Sequence, residues 1–208
     1  IVFGDWSSDV CSSDLAQVMH QEAERMNRLV LELLVLARLE SGTAEMRRQP
    51  VVVADLLAQV GQKFSLQAQA GQVQIELMVS DLPDLMGDWD RLVQVFSNLL
   101  DNALRYTPPG GRVLLVAEQQ TQGWLLVQVV DGGPGIAPEE QERIFERFYQ
   151  ADRSRRGGRS GVGLGLPIAR QICRAHGGDL TVSSSPGQGC TFVVKLPFQQ
   201  ACDRGKKS

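Results

Sequence analysis

The sequence contains few cysteines and no long apolar run. Its four cysteines, Cys11, Cys173, Cys190 and Cys202, form no C-x-x-C pair and no metal-ligand spacing. We therefore expect free thiols in a reducing cytosol. No apolar run approaches the roughly 20 residues that a membrane-spanning helix needs. A disulfide framework, a zinc site and a membrane span within the chain are thus disfavoured.

An excess of positive charge is also missing. The formal net charge is -3 and the sequence pI is near 5.5, which gives no nucleic-acid signature. Basic residues cluster locally at 143–159, and such a cluster fits a polyanionic ligand better than a duplex. The pattern G-x-x-x-x-G-K-[ST] occurs nowhere, so the P-loop route to ATP is excluded.

Apolar periodicity predicts alternating helices and strands from residue 16 onward. The predicted helices are 16–42, ended by Gly42, one through Leu56 and Phe64, one capped by Asp88, and 166–176. The predicted strands are 48–53, 73–79, 112–119, 124–130, 180–184 and 190–196. This order implies a mixed sheet covered on one face by helices, a two-layer α/β sandwich.

Two asparagines lie on one face of the helix that Asp88 is expected to cap. Asn98 and Asn102 are four residues apart in a run with helical period, so their amides are on adjacent turns. A pair of surface asparagines is the ordinary explanation. However, Arg105 and Tyr106 follow within a turn and add a phosphate-directed cation and a ring suited to a base. This combination favours a ligand site.

Two glycine-rich pieces follow. In the first, Asp131 ends the predicted strand 124–130, and a carboxylate there can accept a hydrogen bond from an exocyclic amine, while Gly133 and Gly135 allow close backbone approach. A plain Asp-Gly turn would explain this piece taken alone. In the second, residues 161–165 open a helix whose free N–H groups suit phosphate oxygens. It is not a dinucleotide fingerprint, because it follows a polar segment and not a strand.

The ordered set of pieces resembles the N, G1, F and G2 boxes of sensor histidine kinases, with residues 143–149 as the F box. These kinases lie within the wider family of gyrase, Hsp90, kinase and MutL ATP-binding domains. Residues 187–192 resemble the closing G3-like turn, and the similarity covers roughly residues 16–198. The resemblance implies a Bergerat-type ATP-binding fold that uses ATP and Mg2+.

The resemblance also implies roles for the matching residues. Asp131 would read the adenine amine with Thr191 sharing a water nearby, and Tyr106 and Ile136 would flank the ring. Asn102, helped by Asn98, would hold Mg2+. The implied nucleotide-binding residues are Asn98, Asn102, Arg105, Tyr106, Asp131, Gly133, Gly135, Ile136, Phe148, Arg155, Gly161, Gly163, Leu164, Gly165 and Thr191. Phe145 and Phe148 would anchor a mobile lid at 150–160, which is too rich in arginine and glycine to supply a core. Two residues depart from the family's usual pattern: Gln150 stands where arginine is commoner, and Pro167 stands where alanine is commoner.

The expected domain organisation follows from the same comparison. Residues 1–15 show neither the helical nor the strand period of apolar residues, and they resemble translated adapter sequence. We therefore expect a non-family leader of artefactual origin. Residues 16–42 resemble the second helix of the dimerisation and phosphotransfer hairpin, truncated here. Residues 46–198 form the ATP-binding catalytic domain, and 199–208 a disordered tail. A lone core-packing helix is the alternative interpretation of 16–42.

The predicted function is the catalytic, ATP-binding portion of a sensor histidine kinase, which transfers the γ-phosphate to a histidine. Neither His20 nor His176 has the context of the phosphoacceptor, so this chain is expected to carry no catalytic histidine. His20 is expected to be exposed, and His176 to complement a helix dipole. Because an amide such as Asn98 cannot act as a general base, transfer is favoured over hydrolysis.

The implied partners are ATP, a response regulator and a second copy bound through the hairpin, with no nucleic acid. The implied location is cytoplasmic, and any anchor in the inner membrane would lie in segments outside this chain. A nucleotide-binding interaction module without kinase activity is the alternative. An anti-sigma-type serine kinase is disfavoured, because it would not need the amphipathic run at 18–40.

Overall fold

The computed structural model describes residues 8–80, 82–120, 123–150 and 162–198. The predicted leader residues 1–7, the lid residues beyond Gln150, and the tail 199–208 lie outside the described residues. Two of the predicted nucleotide-binding residues, Arg155 and Gly161, also lie outside them.

The first helix, α1 (Ser8–Glu40), is 33 residues long, or about 50 Å at the usual rise. It begins eight residues before the predicted start at residue 16. No glycine or proline occurs between Ser8 and Glu40, and a helix extends once nucleated where nothing interrupts it. Its end is as predicted, since Gly42 follows with a φ of +69°.

The remaining elements follow the predicted order with two additions. The helices are α2 (Val53–Lys63), α3 (Ser65–Ala70), α4 (Trp89–Tyr106) and α5 (Gly165–Ala175), and single 3-10 turns cover Pro138–Glu140 and Arg143–Phe145. The strands are β1 (Gln49–Val51), β2 (Gln74–Val79), β3 (Leu85–Gly87), β4 (Arg112–Gln120), β5 (Trp124–Asp131), β6 (Asp179–Ser184) and β7 (Cys190–Pro197). Sequence reasoning missed α3 and β3, which have only six and three residues.

The strands form one five-stranded sheet in the order β2-β4-β5-β7-β6, and β1 pairs separately with β3. Only the β2–β4 pair of the large sheet is parallel. The predicted mixed sheet is therefore confirmed. The helices α2, α4 and α5 contact the sheet and form the second layer of the sandwich.

Burial alternates along the central strands, although residues 124–130 read as a continuous apolar run. The buried side chains of β5 are Leu125, Val127, Val129 and Asp131, and those between them are half-buried. Alternate residues of a strand point to the same face, so Asp131 faces the helix layer together with the apolar core. The thiols of Cys173 and Cys190 are free and buried in this core.

The C-terminal part of α1 packs on the domain, mainly against α5. Leu36 and Leu39 belong to the core with exposures of 1% and 7%. Towards the other end, Met19 and Met26 are 64% and 65% exposed, so the apolar stripe of α1 is only partly covered. Within the described residues, no helix has both the length and the apolar character needed to cross a membrane.

Candidate nucleotide-binding site

The carboxylate of Asp131 lies at the end of β5, on the helix side of the sheet, and the residue is 6% exposed. Its Oδ1 accepts hydrogen bonds from the backbone N–H of Gly133 at 2.9 Å and of Cys190 at 3.3 Å. Burial raises the pKa of the Asp131 carboxyl above its ordinary value, although the two N–H groups act against this shift. Oδ2 accepts no hydrogen bond from the described residues, so it is the atom left for a ligand.

The turn after Asp131 needs its glycines for packing. A Cβ at Gly133 would lie 2.8 Å from Asp131 Oδ1 and 3.2 Å from the Cβ of Tyr106. Gly135 has a φ of +75°, and a Cβ there would overlap the Ser185 carbonyl oxygen. The turn is thus fitted between the end of α4 and the β6–β7 hairpin, and both glycines are required even without a ligand.

Hydrogen bonds hold the same turn to the β6–β7 hairpin. Ile136 donates its N–H to Ser184 Oγ at 2.9 Å, and Gly187 donates its N–H to the Pro134 carbonyl at 2.7 Å. The side-chain amide of Gln141 donates to the carbonyls of Ser184 at 2.9 Å and Ile136 at 3.3 Å. These contacts fix the turn on the side away from α4.

Asn98 connects α4 with the start of α5. Its Nδ2 donates to the Gly165 carbonyl at 2.9 Å. Because a carbonyl can only accept, this bond assigns the amide orientation and leaves Asn98 Oδ1 free to face elsewhere. Asn102 lies one turn further along α4 and is half-buried. The Arg105 guanidinium pairs with Asp101 on the same helix at 2.9 Å, and both side chains are partly exposed.

The second glycine-rich segment contacts Phe148 and Tyr149, which precede it in sequence. Gly163 has a φ of +78° and accepts a hydrogen bond from the Phe148 N–H at 3.0 Å. The side chain of Leu164 is 1% exposed, so only its backbone could reach a ligand. Phe145 packs against the core under the Arg170 guanidinium at 4.5 Å, whereas Phe148 is 51% exposed. The lid that these two residues are expected to anchor lies outside the described residues.

The position expected for Thr191 is corrected by the structure. In β7, Cys190 and Phe192 are buried and face the helix layer, whereas Thr191 is half-buried between them. Thr191 pairs with Val130, and Cys190 pairs with Asp131. Because side chains alternate along a strand, Thr191 lies on the opposite face of the sheet from the Asp131 carboxylate. The side chain beside Asp131 is that of Cys190.

His176 is a buried link between α5 and α4 and not a cation at a helix end. It is 4% exposed, its Nε2 accepts the backbone N–H of Asp88 at 3.0 Å, and its Nδ1 therefore carries the proton donated to the Ile172 carbonyl at 2.8 Å. Burial lowers the pKa of His176 below its ordinary value, and the nearby Arg48 acts in the same direction. Asp88 caps α4 as predicted, since its side chain accepts from the Arg91 N–H at 3.1 Å.

Sequence reasoning missed Ser184, Gln141 and Cys190. Ser184 and Gln141 carried no signal, because a serine in a polar strand and a glutamine in a charged loop are common. Cys190 was detectable, since its alternation with the apolar residues of β7 places it on the core face. Two contacts join predicted residues of different elements: Asn98 of α4 bonds Gly165 of α5, and Gly133 of the turn after β5 packs against Tyr106 of α4. Gly135 and Ile136 contact the β6–β7 hairpin, and Gly163 contacts Phe148.

Comparisons with known proteins agree with this arrangement. The family described as "Histidine kinase-, DNA gyrase B-, and HSP90-like ATPase" matches residues 87–200. Over 189 residues the chain is 37% identical to sensor protein SrrB of Staphylococcus aureus (strain N315), an alignment that covers 91% of the chain and 32% of SrrB.

Two solved structures are similar. Full-length ShkA in complex with AMPPNP has a TM-score of 0.80 and 35% identity, over 91% of this chain and 39% of that one. The mycobacterial sensor histidine kinase MprB has a TM-score of 0.64 and 30% identity, over 73% of this chain and 98% of that one.

The fold is thus the α/β sandwich of histidine kinase ATP-binding domains. The chain belongs to the family of histidine kinase-, DNA gyrase B- and HSP90-like ATPases, as the ATP-binding catalytic portion of a sensor histidine kinase. The comparisons support this family and not the alternative of an interaction module outside the kinases. The chain spans about a third of the length of the curated relatives it matches.

Proposed function

We propose that Asp131 selects adenine and that the domain presents ATP for transfer of its γ-phosphate to a histidine on another helix. The observation that carries this proposal is the buried carboxylate at the end of β5, with Oδ1 held by the N–H groups of Gly133 and Cys190 and with Oδ2 left over. Adenine presents an amino group where guanine presents a carbonyl oxygen. A fixed carboxylate oxygen accepts from the first and repels the second.

The start of α5 suits the phosphates. Its first N–H groups have no partner within the helix and carry the positive end of the helix dipole. Gly165, the first residue of α5, lies against Asn98 of α4. A Cβ at Gly165 would be 3.6 Å from Asn98 Cγ. Arg105 is held by Asp101 at 2.9 Å on the same helix. We propose that the Arg105 guanidinium shifts from Asp101 to a phosphate when ATP binds.

The residues also fit a magnesium ion. Within the described residues, no three His, Cys, Asp or Glu side chains form a metal-binding group, so protein ligands would come from amide oxygens. The bond from Asn98 Nδ2 to Gly165 leaves Asn98 Oδ1 free, and Asn102 lies one turn away. Magnesium prefers oxygen ligands and commonly completes its shell with phosphates and waters. When bound, it would neutralise phosphate charge.

The acceptor histidine is proposed to come from a separate hairpin helix. His20 lies 20 residues before Glu40 on α1, about 30 Å along the helix axis from the end that packs on the domain. Its side chain is 73% exposed and its Nε2 lies 3.4 Å from Glu24. We propose that a hairpin helix covers the exposed apolar part of α1, that two copies assemble through this hairpin, and that a response regulator receives the phosphoryl group. The exposed apolar residues on this part of α1 are Leu15, Val18, Met19, Met26, Val30, Leu31 and Leu34.

The adenine assignment is tested by calorimetry with Mg-ATP and Mg-GTP. Asp131→Asn replaces the free carboxylate oxygen with an NH2 group or a weaker acceptor, so ATP affinity should fall by about 1.5–3 kcal/mol, roughly 10- to 150-fold. Asp84→Asn makes the same charge change at an exposed position and should leave the affinity unchanged. Equal ATP affinity for the wild type and Asp131→Asn would remove Asp131 from the site.

The transfer step is tested with γ-labelled ATP and a separately supplied hairpin that carries an acceptor histidine. We expect acid-labile label on the hairpin and little on the chain itself. Label that appears on the chain alone and disappears in His20→Ala would show that His20 is the acceptor. No label on the hairpin despite ATP binding would contradict transfer by this domain.

A further inference from the structure

We propose that Ser184, supported by Gln141, is a positioning residue that aims the Asp131 carboxylate and thereby sets base selectivity. This inference rests on the proposed role of Asp131 in reading adenine. Ser184 is the last residue of β6 and is half-buried. It does not need to touch the nucleotide, because its contacts reach the two backbone segments that hold Asp131.

The hydroxyl of Ser184 uses its donor and its acceptor on different segments. Ser184 Oγ accepts the Ile136 N–H at 2.9 Å and lies 2.6 Å from the Gly189 carbonyl oxygen and 3.3 Å from Cys190 Sγ. A serine hydroxyl has a single proton. The shorter distance and the stronger acceptor assign that proton to the Gly189 carbonyl. Ser184 therefore joins the turn after β5 to the first peptide group of β7.

The peptide group between Gly189 and Cys190 links Ser184 to Asp131. Its carbonyl oxygen accepts from Ser184, and its N–H donates to Asp131 Oδ1 at 3.3 Å. Because a peptide group is planar, fixing the direction of the carbonyl also fixes the direction of the N–H. Accepting a hydrogen bond polarises the group as well and strengthens the bond that its N–H makes. The Ser184 hydroxyl thus orients one of the two donors that hold the carboxylate.

Gln141 holds the same assembly from the other side. Its amide nitrogen donates to the carbonyls of Ser184 at 2.9 Å and Ile136 at 3.3 Å. The Ile136 residue is therefore held at its N–H by Ser184 and at its carbonyl by Gln141. Gly189 approaches Asp131 so closely that a Cβ would overlap the Asp131 carbonyl oxygen. Because the Cys190 N–H of the same hairpin donates to Asp131 Oδ1, a shift of the hairpin would alter the hydrogen bond that orients the carboxylate.

The test compares the affinities of Mg-ATP and Mg-GTP for four proteins by calorimetry. Ser184→Ala removes the hydroxyl and should weaken ATP binding about tenfold while GTP binding changes little, so the ATP/GTP ratio falls. Ser184→Thr keeps the hydroxyl in a strand that accepts β-branched residues and should restore the ratio. Ser183→Ala removes an exposed hydroxyl next to it and should match the wild type.

The outcomes separate this inference from the proposed function. A wild type without adenine preference would refute the role of Asp131. A wild type with that preference, together with an unchanged ATP/GTP ratio in Ser184→Ala, would overturn the inference alone, as would an equal loss of both affinities. If Ser184→Ala does not fold, Gln141→Met decides, because it keeps the side-chain length without the donors. Its ATP/GTP ratio should fall, and an unchanged ratio would overturn the inference.

Discussion

Replacing His176 should destabilise the domain by an amount that depends on pH. In the folded protein, neutral His176 accepts the Asp88 N–H through Nε2 and is 4% exposed. His176→Leu leaves that N–H buried without its acceptor, which costs about 1–3 kcal/mol. For a chain of this size each kcal/mol lowers the Tm by about 2–4 °C. Urea denaturation at pH 7.5 should therefore show a clearly lower free energy of unfolding.

The pH dependence follows from the direction of the pKa shift. Burial, with Arg48 nearby, lowers the pKa of folded His176 below its ordinary 6.5, so the unfolded chain takes up a proton at higher pH than the folded one. The stability that neutral His176 provides is complete above pH 6.5 and is lost as the pH falls towards the lowered pKa. In that window the slope is at most about 1.4 kcal/mol per pH unit. His176→Leu has no such group, so its stability deficit should shrink in acid.

The control is His20→Ala, which removes the other histidine of the chain at a side chain that is 73% exposed. This variant should follow the wild-type curve at pH 7.5, 6.5 and 5.5. If His176→Leu shows a deficit that stays constant over these three values, the argument that His176 is buried in its neutral form is refuted. A deficit below about 0.5 kcal/mol at pH 7.5, within the usual range of surface substitutions, would refute the hydrogen bond to Asp88.

Three further changes have expected outcomes. Gly135→Ala places a Cβ on the Ser185 carbonyl oxygen at a φ of +75°, so calorimetry should detect strongly weakened ATP binding, and wild-type affinity would contradict the close approach. Glu40→Gln breaks the ion pair between Glu40, whose side chain is 31% exposed, and Arg147, which is 50% exposed. The free energy of unfolding should fall by less than about 1 kcal/mol. A larger loss would show that this pair holds α1 on the domain. Asn98→Asp cannot donate to the first carbonyl of α5, so the Tm should fall while Asn98→Ser, a smaller donor, loses less; an unchanged Tm for both would exclude the hydrogen bond.

Long elements with a strong period could be predicted from the sequence. Helix α4 combines a capping aspartate, Asp88, with seven buried apolar residues at helical spacing, and the β4–β5 pair consists of two apolar runs close in sequence. For such segments local preference and tertiary packing favour the same structure. The strand β3 depends on its pairing with the distant strand β1, which leaves no local pattern, and α3 has only six residues, too few to show a helical period.

The site could be predicted as a set of motifs but not as a geometry. The position of Thr191 was wrong by one residue, because the motif match ignored the alternation that places Cys190 on the face of Asp131. Ser184 and Gln141 act through backbone carbonyls and N–H groups, which every residue possesses, so the sequence contains no mark of their partners. The start of α1 was missed for another reason: residues 8–15 are mostly polar and show no helical period of apolar residues in the sequence.

The three motifs were ambiguous one by one because each is a structural partner of another element of the site. Asn98 binds the carbonyl of Gly165, Gly133 fits against Tyr106, and Gly189 fits against Asp131. The glycines are therefore required for packing whether or not a ligand binds, and loss of ATP binding in a glycine variant does not distinguish the two roles. Asp131→Asn changes the atom proposed to accept from adenine, while the amide oxygen can still accept from the backbone. Only substitutions of that kind separate recognition of adenine from packing of the turn, because they change the acceptor atom and leave the backbone contacts in place.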